Sequence, residues 1–333
     1  MSIGNIIFNK VVPNTLIFFG ISRNSWNFKK ISVLIHSLIM IPVKKIKGRH
    51  RTTSFVQKQY DQISGSYIQD NYYKDKKRFS VVNGNIMEIS SIKNMKLIRE
   101  EIRLILNAYN FNNILEVGVG ELTTLEDIFS FKNCEIDCYG IDLSLNRLSH
   151  GISEFKKKYK KIPYVAKSNA KELPFPDNSF DLVITRHTLE QIPKDYKIAI
   201  DEILRVSKKY IILFEPSFEL GGFIQKLKMI NSDYVRGIPK YLSTKHNLNI
   251  HDAYLMKNSA NPLNHTACTK IAIKKNINMN NDNKVIPFVC PITKEVLKLQ
   301  DNFFYAVSSK IAYPIINNIP ILDKEHSFKL TKI

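Results

Sequence analysis

Acidic residues are absent from the first 60 positions of this 333-residue chain, which hold ten Lys or Arg. Cysteine is scarce as well. The four present, Cys134, Cys138, Cys268 and Cys290, make no Cys-x-x-Cys pair and no zinc set, so no metal is expected. They read as free thiols in a reducing compartment, which points to the cytoplasm. Long apolar runs are missing too. The stretches Thr15 to Ile21 and Ile31 to Val43 fall short of the roughly 18 to 20 residues that span a bilayer. A cleaved signal peptide would set its basic residues ahead of the apolar run, and no Ala-x-Ala-like site follows here. What the chain does have is 44% apolar content, enough to bury a full α/β core and still carry extra modules.

The net charge of +19 is unevenly spread. Residues 112 to 220 hold 15 basic and 17 acidic residues, whereas residues 221 to 286 carry a net +7. The excess therefore sits on segments flanking a nearly neutral centre. In residues 1–55 the basic residues Lys29, Lys30, Lys44, Lys45, Lys47, Arg49 and Arg51 lie beside the apolar stretches. An acid-free segment of this kind suits an anionic membrane surface, where each Lys or Arg contributes about 1 kcal/mol. That would place the protein peripherally on the cytoplasmic membrane face. Two other readings stand beside it: helices packed on the body of the protein, in a chain rich in Ile, Asn and Lys throughout, and an acid-poor transit peptide. The run Lys156 to Lys161 reads as the solvated end of a helix.

The stretch Asn113 to Leu125 carries the chemistry. Its apolar strand (Ile114, Leu115) ends in a carboxylate, Glu116, and two glycines at alternate positions, Gly118 and Gly120, let the backbone turn sharply against a ligand. A second apolar strand ends in Asp142, and an acidic residue at that tip can hold both hydroxyls of a ribose. Two nucleoside sites compete. A dinucleotide fold wants Gly-x-Gly-x-x-Gly, but position 123 is Thr, and Glu116 would repel a pyrophosphate while attracting the ammonium of a methionine tail.

The continuation decides between them. Ser168-Asn-Ala-Lys-Glu-Leu-Pro-Phe-Pro-Asp-Asn-Ser-Phe-Asp-Leu-Val-Ile-Thr185 resembles the third and fourth strands of class I S-adenosylmethionine-dependent methyltransferases, and Glu202 to Pro216 resembles their next helix and fifth strand. Tyr60-Asp-Gln-Ile-Ser-Gly-Ser-Tyr67 is similar to the Tyr-Asp-x-x-Ala-x-x-Tyr helix that closes over the cofactor, with Ser64 where Ala is usual. The resemblance implies S-adenosylmethionine as cofactor and a binding set of Glu116, Gly118, Gly120, Asp142, Leu143, Asn169, Ala170, Arg186, Tyr60 and Tyr67. Asn169 stands where the family has an acid. The implied fold is α/β, a Rossmann-like doubly wound sheet, with a small β-rich module at the C-terminal end.

Along the chain, Ile86 to Tyr109 shows helical periodicity leading into the strand at Asn113. The methyltransferase domain is expected over residues 56–275, with an insertion at about 221–265 and a closing strand at Thr266 to Lys274. Residues 276–286 read as an Asn-rich linker. In residues 287–333, Pro287-Phe-Val-Cys-Pro-Ile-Thr-Lys-Glu-Val-Leu and Ala312-Tyr-Pro-Ile-Ile-Asn-Asn-Ile-Pro-Ile-Leu322 resemble the small activator subunit of tRNA and release-factor methyltransferases and its short bacterial relatives. That resemblance implies a module covering a hydrophobic edge of the enzyme.

A sulfonium methyl is already activated, so alignment with a nucleophile and exclusion of water are the main demands, and a weak nucleophile such as a sugar hydroxyl also needs a base. In the family Thr185-Arg-His-Thr-Leu-Glu-Gln-Ile192 faces the methyl. His187 and Glu190 are the candidate bases, and Glu215 is expected to face the acceptor. Enzymes acting on exocyclic base nitrogens or glutamine amides commonly carry Asn/Asp-Pro-Pro-Tyr/Phe here, and this chain does not. A small-molecule or glycan acceptor, such as a lipid- or nucleotide-linked sugar, is the preferred expectation. A tRNA methyltransferase with a fused activator-like module is the alternative, for which the positive flanks would meet phosphates. A scaffold without activity is disfavoured by the presence together of Glu116, Gly118, Gly120 and Asp142.

Overall fold

The computed structural model describes residues 25–47, 51–69, 74–274 and 285–331; the side chains of residues 38–47 and of Tyr67 lie outside the described set. Thr15 to Ile21, Arg49, the side chains of Lys44, Lys45 and Lys47, and residues 276–284 of the expected linker fall outside it.

Seven strands make one sheet, and the alternation of their side chains sets its two faces. They are β3 (Asn113–Val117), β4 (Asp137–Asp142), β5 (Tyr164–Lys167), β6 (Phe180–Arg186), β7 (Ser207–Pro216), β8 (Leu248–Leu255) and β9 (Thr266–Ile273). Their order is β5-β4-β3-β6-β7-β9-β8, with β9 antiparallel to both neighbours and every other pair parallel. Ile114, Cys138, Leu182 and Ile212 point to one face, where they meet Ile98 and Ile102 of α3 (Ser91–Asn107), Leu125 and Phe129 of α4 (Thr123–Phe131), and Leu148 and Phe155 of α5 (Leu145–Lys158). Leu115, Tyr139, Val183 and Ile211 point to the other, against Ile200 and Ile203 of α6 (Tyr196–Val206). Central strands covered on both sides explain their unbroken apolar runs. The expected doubly wound α/β fold is what forms.

Two stretches differ from the sequence expectation. The helix expected from Ile86 begins only at Ser91, because Lys77–Val82 (β1) and Asn85–Ser90 (β2) pair as an antiparallel hairpin. Asn83 and Gly84 form its turn, both with positive φ (51° and 81°), the backbone that an Asn-Gly pair tolerates. Ser90 then caps α3, its hydroxyl accepting from the Lys93 amide at 3.1 Å. The stretch at 221–265 is also more than an insertion. It contains α7 (Phe223–Ser232), α8 (Ile238–Leu242) and β8, which is the outer strand of the main sheet. Most of β8 is exposed, and its apolar alternation (Leu248, Ile250) stops at the register shift before Asp252, which leaves too short a pattern to mark it as a strand.

At the other edge sits the C-terminal unit. Its strands β10 (Lys298–Gln300), β11 (Phe303–Tyr305), β12 (Ile311–Ile316) and β13 (Ile319–Pro320) pair in chain order, and β14 (Phe328–Lys329) adds to β12. Its core of Cys290, Leu297, Ala306, Tyr313 and Leu322 takes in Ala166 of β5. Ile321 bridges Lys167 in parallel, the Leu322 amide donates to the Lys167 carbonyl at 2.8 Å, and the Val289 amide donates to Pro174 at 3.0 Å. An unpaired edge strand exposes backbone groups, and here the C-terminal unit pairs with the last residue of the edge, Lys167.

Near the amino-terminal end, α1 (Trp26–Lys47) packs along α7. Ser37 is buried and accepts a hydrogen bond from Asn231, and Trp26 meets the Phe79 ring at 5.7 Å. Over these residues the helix packs on the body of the protein. Among the described residues no helix is long and apolar enough to cross a membrane.

Candidate functional site

At the carboxyl ends of the parallel strands the chain opens into a cleft of ≈ 150 Å³. In open α/β sheets ligands bind at this end, where the strand order reverses. β3 stops at Val117 because the next residues must turn. Gly118 and Gly120 take φ of +78° and +55°, and a Cβ on Gly118 would lie 2.1 Å from Thr188 Oγ1. No other residue fits there. The Gly118 and Val119 amides donate to the Ile141 carbonyl at 2.8 and 2.9 Å, locking the turn onto β4.

Asp142 at the tip of β4 is buried beside the cleft. It accepts from the Gly120 amide at 2.9 Å and the Ser144 amide at 2.8 Å, and Arg147 Nη1 lies 3.7 Å away. Gly118, Asp142, Leu143, Asn169, Ala170, Arg186, His187 and Tyr60 all line the cleft, so eight of the residues singled out in the sequence come together. Gly120 reaches it only through Asp142. The side chain of Tyr67 lies outside the described residues.

Glu116 sits behind the glycine turn, only 3% exposed, with Oε2 making no hydrogen bond. Burial pushes its carboxyl up to about 8, against the pull of Arg186 and a hydrogen bond from Thr124. Arg186 is itself held by Thr124, Nη1 donating to Oγ1 at 3.0 Å.

The two candidate bases separate. His187 faces the cleft from a left-handed backbone (φ 54°) tied down by its amide to Phe214 O at 3.0 Å. Its ring lies between Glu190 (Nδ1 to Oε1, 3.4 Å) and Thr266 (Nε2 to Oγ1, 2.9 Å). Burial pulls the imidazole pKa down, but the Glu190 carboxylate outweighs it and the net shift is upward. Glu190 is a correction to the sequence reading. It is 3% exposed and stands behind His187, accepting also from Gln191 at 2.7 Å and Asn264 at 2.9 Å, so it holds the His187 ring and does not line the cleft itself. Glu215 is a second correction. Rather than facing an acceptor in the cleft, it accepts from the amides of Thr188, Leu189 and Glu190 at 2.9 to 3.2 Å and so holds the loop that presents His187.

The roof is α2 (Thr53–Gln62), capped by Thr52, whose hydroxyl accepts from the Phe55 amide. Val56, Gln57 and Tyr60 face down into the cleft, and Arg147 stacks on the Tyr60 ring at 4.9 Å. The Ser144 hydroxyl donates to Asp61, and Glu121 accepts from the Gly65 and Ile68 amides at 3.0 and 3.1 Å, so the roof is pinned at both sides. Sequence reading missed Arg147, Thr188 and Gln191. It also read Arg51 only as one charge of a basic cluster. Arg51 instead donates to Ser232 O at 2.8 Å and to Gln191, and stacks on Tyr234 at 4.8 Å, joining the roof to α7. The Tyr-Asp pair at 60 and 61 was the one available signal for this roof. Among the described residues no group of His, Cys, Asp and Glu could hold a metal ion.

Comparison with known proteins adds to this geometry. Residues 115–213 match the family model described as a methyltransferase domain. The demethylmenaquinone methyltransferase of Geobacillus kaustophilus is 32% identical over 110 residues, 33% of this chain and 47% of that protein. That of Bacillus licheniformis is 34% identical over 143 residues, 41% and 59% of the two chains. The chain thus spans about half the length of the curated relatives it matches. Among solved structures, the 4+2 cyclase SpnF overlays with a TM-score of 0.51 at 14% identity, covering 67% of this chain and 97% of the other. Magnesium protoporphyrin IX methyltransferase from Synechocystis, solved with bound SAH, gives 0.48 at 13% identity, covering 66% and 99%. The overlay with a cyclase shows a shared fold and leaves the reaction to be argued from the site.

Proposed function

We propose that this chain, whose residues 115–213 form a methyltransferase domain, is an S-adenosylmethionine-dependent methyltransferase acting on a small-molecule acceptor. The observation that carries the reading is Asp142 on the cleft wall beside a glycine turn that admits no side chain. The residues fit the cofactor. Asp142 offers a carboxylate to ribose hydroxyls, and the buried Glu116 Oε2 and Ser168 Oγ have no hydrogen-bond partner. Glu116 would meet the ammonium of the methionine tail and Arg186 its carboxylate, while Leu143, Asn169 and Ala170 would flank the adenine. When bound, S-adenosylmethionine supplies a methyl on a sulfonium, already activated for transfer.

The chain's own contribution is alignment, exclusion of water and one proton. The roof of α2, tied down through Asp61 and Arg51, screens the cleft from solvent. If His187 Nδ1–H donates to Glu190, Nε2 is left as an accepting nitrogen that the buried Thr266 hydroxyl fills at 2.9 Å, so an acceptor hydroxyl would have to displace Thr266 to deliver its proton there. A raised pKa makes the imidazole a stronger base for that step.

Several observations favour a small acceptor. The end of β6 and the turn after it read Thr-Arg-His-Thr, the cleft has a volume of ≈ 150 Å³, and the curated relatives are named for a quinone, demethylmenaquinone. A glycan such as a lipid- or nucleotide-linked sugar belongs to the same reading, with the protein held at an anionic membrane surface by its basic amino-terminal segment. The basic flanks and the activator-like C-terminal unit are the features favouring tRNA instead. The C-terminal unit, seated on the β5 edge, is read as an activator-like cover. Calorimetry tests the core of the proposal: S-adenosylmethionine should bind, and Asp142→Ala should weaken binding by about 1–3 kcal/mol through a lost charged hydrogen bond. Unchanged affinity in that variant removes Asp142 from the site.

A further inference from the structure

We propose that the C-terminal unit does more than cover an edge: through an ion pair between Asp323 and Lys167 it sets the position of the cleft wall that receives the adenine. The inference rests on the cofactor reading above. Lys167 is the last residue of β5, and the next three residues include Asn169 and Ala170 of the cleft wall and the buried, unpartnered Ser168 hydroxyl. Lys167 lies opposite Asp142 in the β4–β5 register, and the Ser168 amide donates to Asp142 O at 3.0 Å. The two strand tips therefore move as one.

A lysine at the end of a parallel strand would ordinarily reach into water. This one is 5% exposed, its Nζ 2.5 Å from Asp323 Oδ2, and Asp323 is 8% exposed. Asp323 is fixed in turn, its other oxygen accepting from the His326 amide at 2.9 Å and from the His326 ring at 2.5 Å. The Lys167 carbonyl is also taken, by the Leu322 amide at 2.8 Å. Backbone and side chain of one residue are thus both held by the same three-residue stretch of the C-terminal unit. Burying a charge is costly unless it is paired and hydrogen-bonded, so the strand tip has one favourable position and Asp323 defines it. Lys167 and Asp323 are positioning residues; neither lines the cleft.

The test measures S-adenosylmethionine affinity by calorimetry on the full chain, with melting temperature recorded beside it. Asp323→Asn should weaken binding tenfold or more. A control, Tyr313→Phe, removes the Cys290–Tyr313 contact inside the same unit without touching Lys167. It should lower the melting temperature and leave affinity within twofold. If Asp323→Asn does not fold, Lys167→Arg keeps the charge on a bulkier head and should still weaken binding. A paired replacement, Lys167→Met with Asp323→Leu, removes both charges so that neither is stranded, and is expected to bind as weakly as Asp323→Asn. Affinity within twofold of the unaltered chain in Asp323→Asn, or in Lys167→Arg where that stands in, overturns the inference. So does a loss of affinity in Tyr313→Phe equal to that in Asp323→Asn, since the effect would then follow stability alone. Failure of the unaltered chain to bind would sink the cofactor reading and this inference with it, whereas equal binding by chain and variant sinks this inference only.

Discussion

Glu116 should link cofactor binding to proton release, and replacing it with Gln should separate stability from affinity. Its carboxyl moves from 4.5 to about 8 in the folded chain because burial penalises the ion. A carboxyl whose folded pKa is raised favours folding most below its unfolded value, and that contribution is lost as pH rises from 4.5 to about 8. At about 1.36 kcal/mol per pH unit, the ionised group costs the free protein roughly 5 kcal/mol above pH 8, an upper figure since water entry and relaxation reduce it. Glu116→Gln removes that cost, so the free variant should melt higher than the parent at pH 8 to 9 and differ little near pH 5. Binding should respond in the opposite way. The cofactor is cationic at its sulfonium and its ammonium, and a cation beside the carboxyl favours the ion. The parent should therefore release a proton on binding and gain affinity as pH rises toward 8, then level off. The variant should bind more weakly and show no such slope. Calorimetry in two buffers of different ionisation enthalpy counts the proton directly, and melts across pH 5 to 9 give the stability arm. A parent affinity that is flat or falls over pH 6 to 8, or a Gln variant that binds as tightly as the parent at pH 8, would refute the assignment.

Gly118→Val should abolish S-adenosylmethionine binding, since it combines a φ of +78° with a Cβ 2.1 Å from Thr188 Oγ1; adding Thr188→Ala should not restore binding, because the backbone strain remains, and calorimetry on both variants decides it. Deleting residues 287–333 should lower the melting temperature and reduce solubility by uncovering Phe175 and the β5 edge, whereas a soluble truncated chain with an unchanged melt would show that the unit covers nothing essential. Vesicles of anionic lipid should bind the protein in flotation, with binding that falls as salt rises, because exposed charges are screened over about 10 Å at 0.1 M. Neutralising Lys44, Lys45, Lys47 and Arg49 should release it. Arg51→Ala should instead disturb the roof, and a tight tRNA gel shift without flotation would favour the tRNA reading.

What was legible in the sequence was local. An apolar run, a carboxylate and two spaced glycines dictate a strand and a tight turn through backbone sterics, so β3, the turn at Gly118 and the Asp142 tip could be placed without any tertiary information. The helix and strand at Glu202 to Pro216 were placed by family resemblance, and they form the end of α6 and β7. The Asn83-Gly84 hairpin was equally local and was passed over because Ile86, Ile89 and Ile92 also fit a helical period. Other features depended on which segments meet. Strand β8 has too short an apolar alternation to stand out, and it becomes a strand only because β9 offers an edge. Glu190 looked like a base beside His187, yet Gln191 and Asn264 close around it and leave it behind the cleft. Arg51 looked like one more surface charge until α7 brought Ser232 and Tyr234 to it. Lys167 and Asp323 stand 156 positions apart, and nothing in either neighbourhood marks them as a pair. Tight turns and helix caps are set by a residue and its immediate neighbours. The environment of a charge is set by packing between distant segments, and only the folded chain decides it.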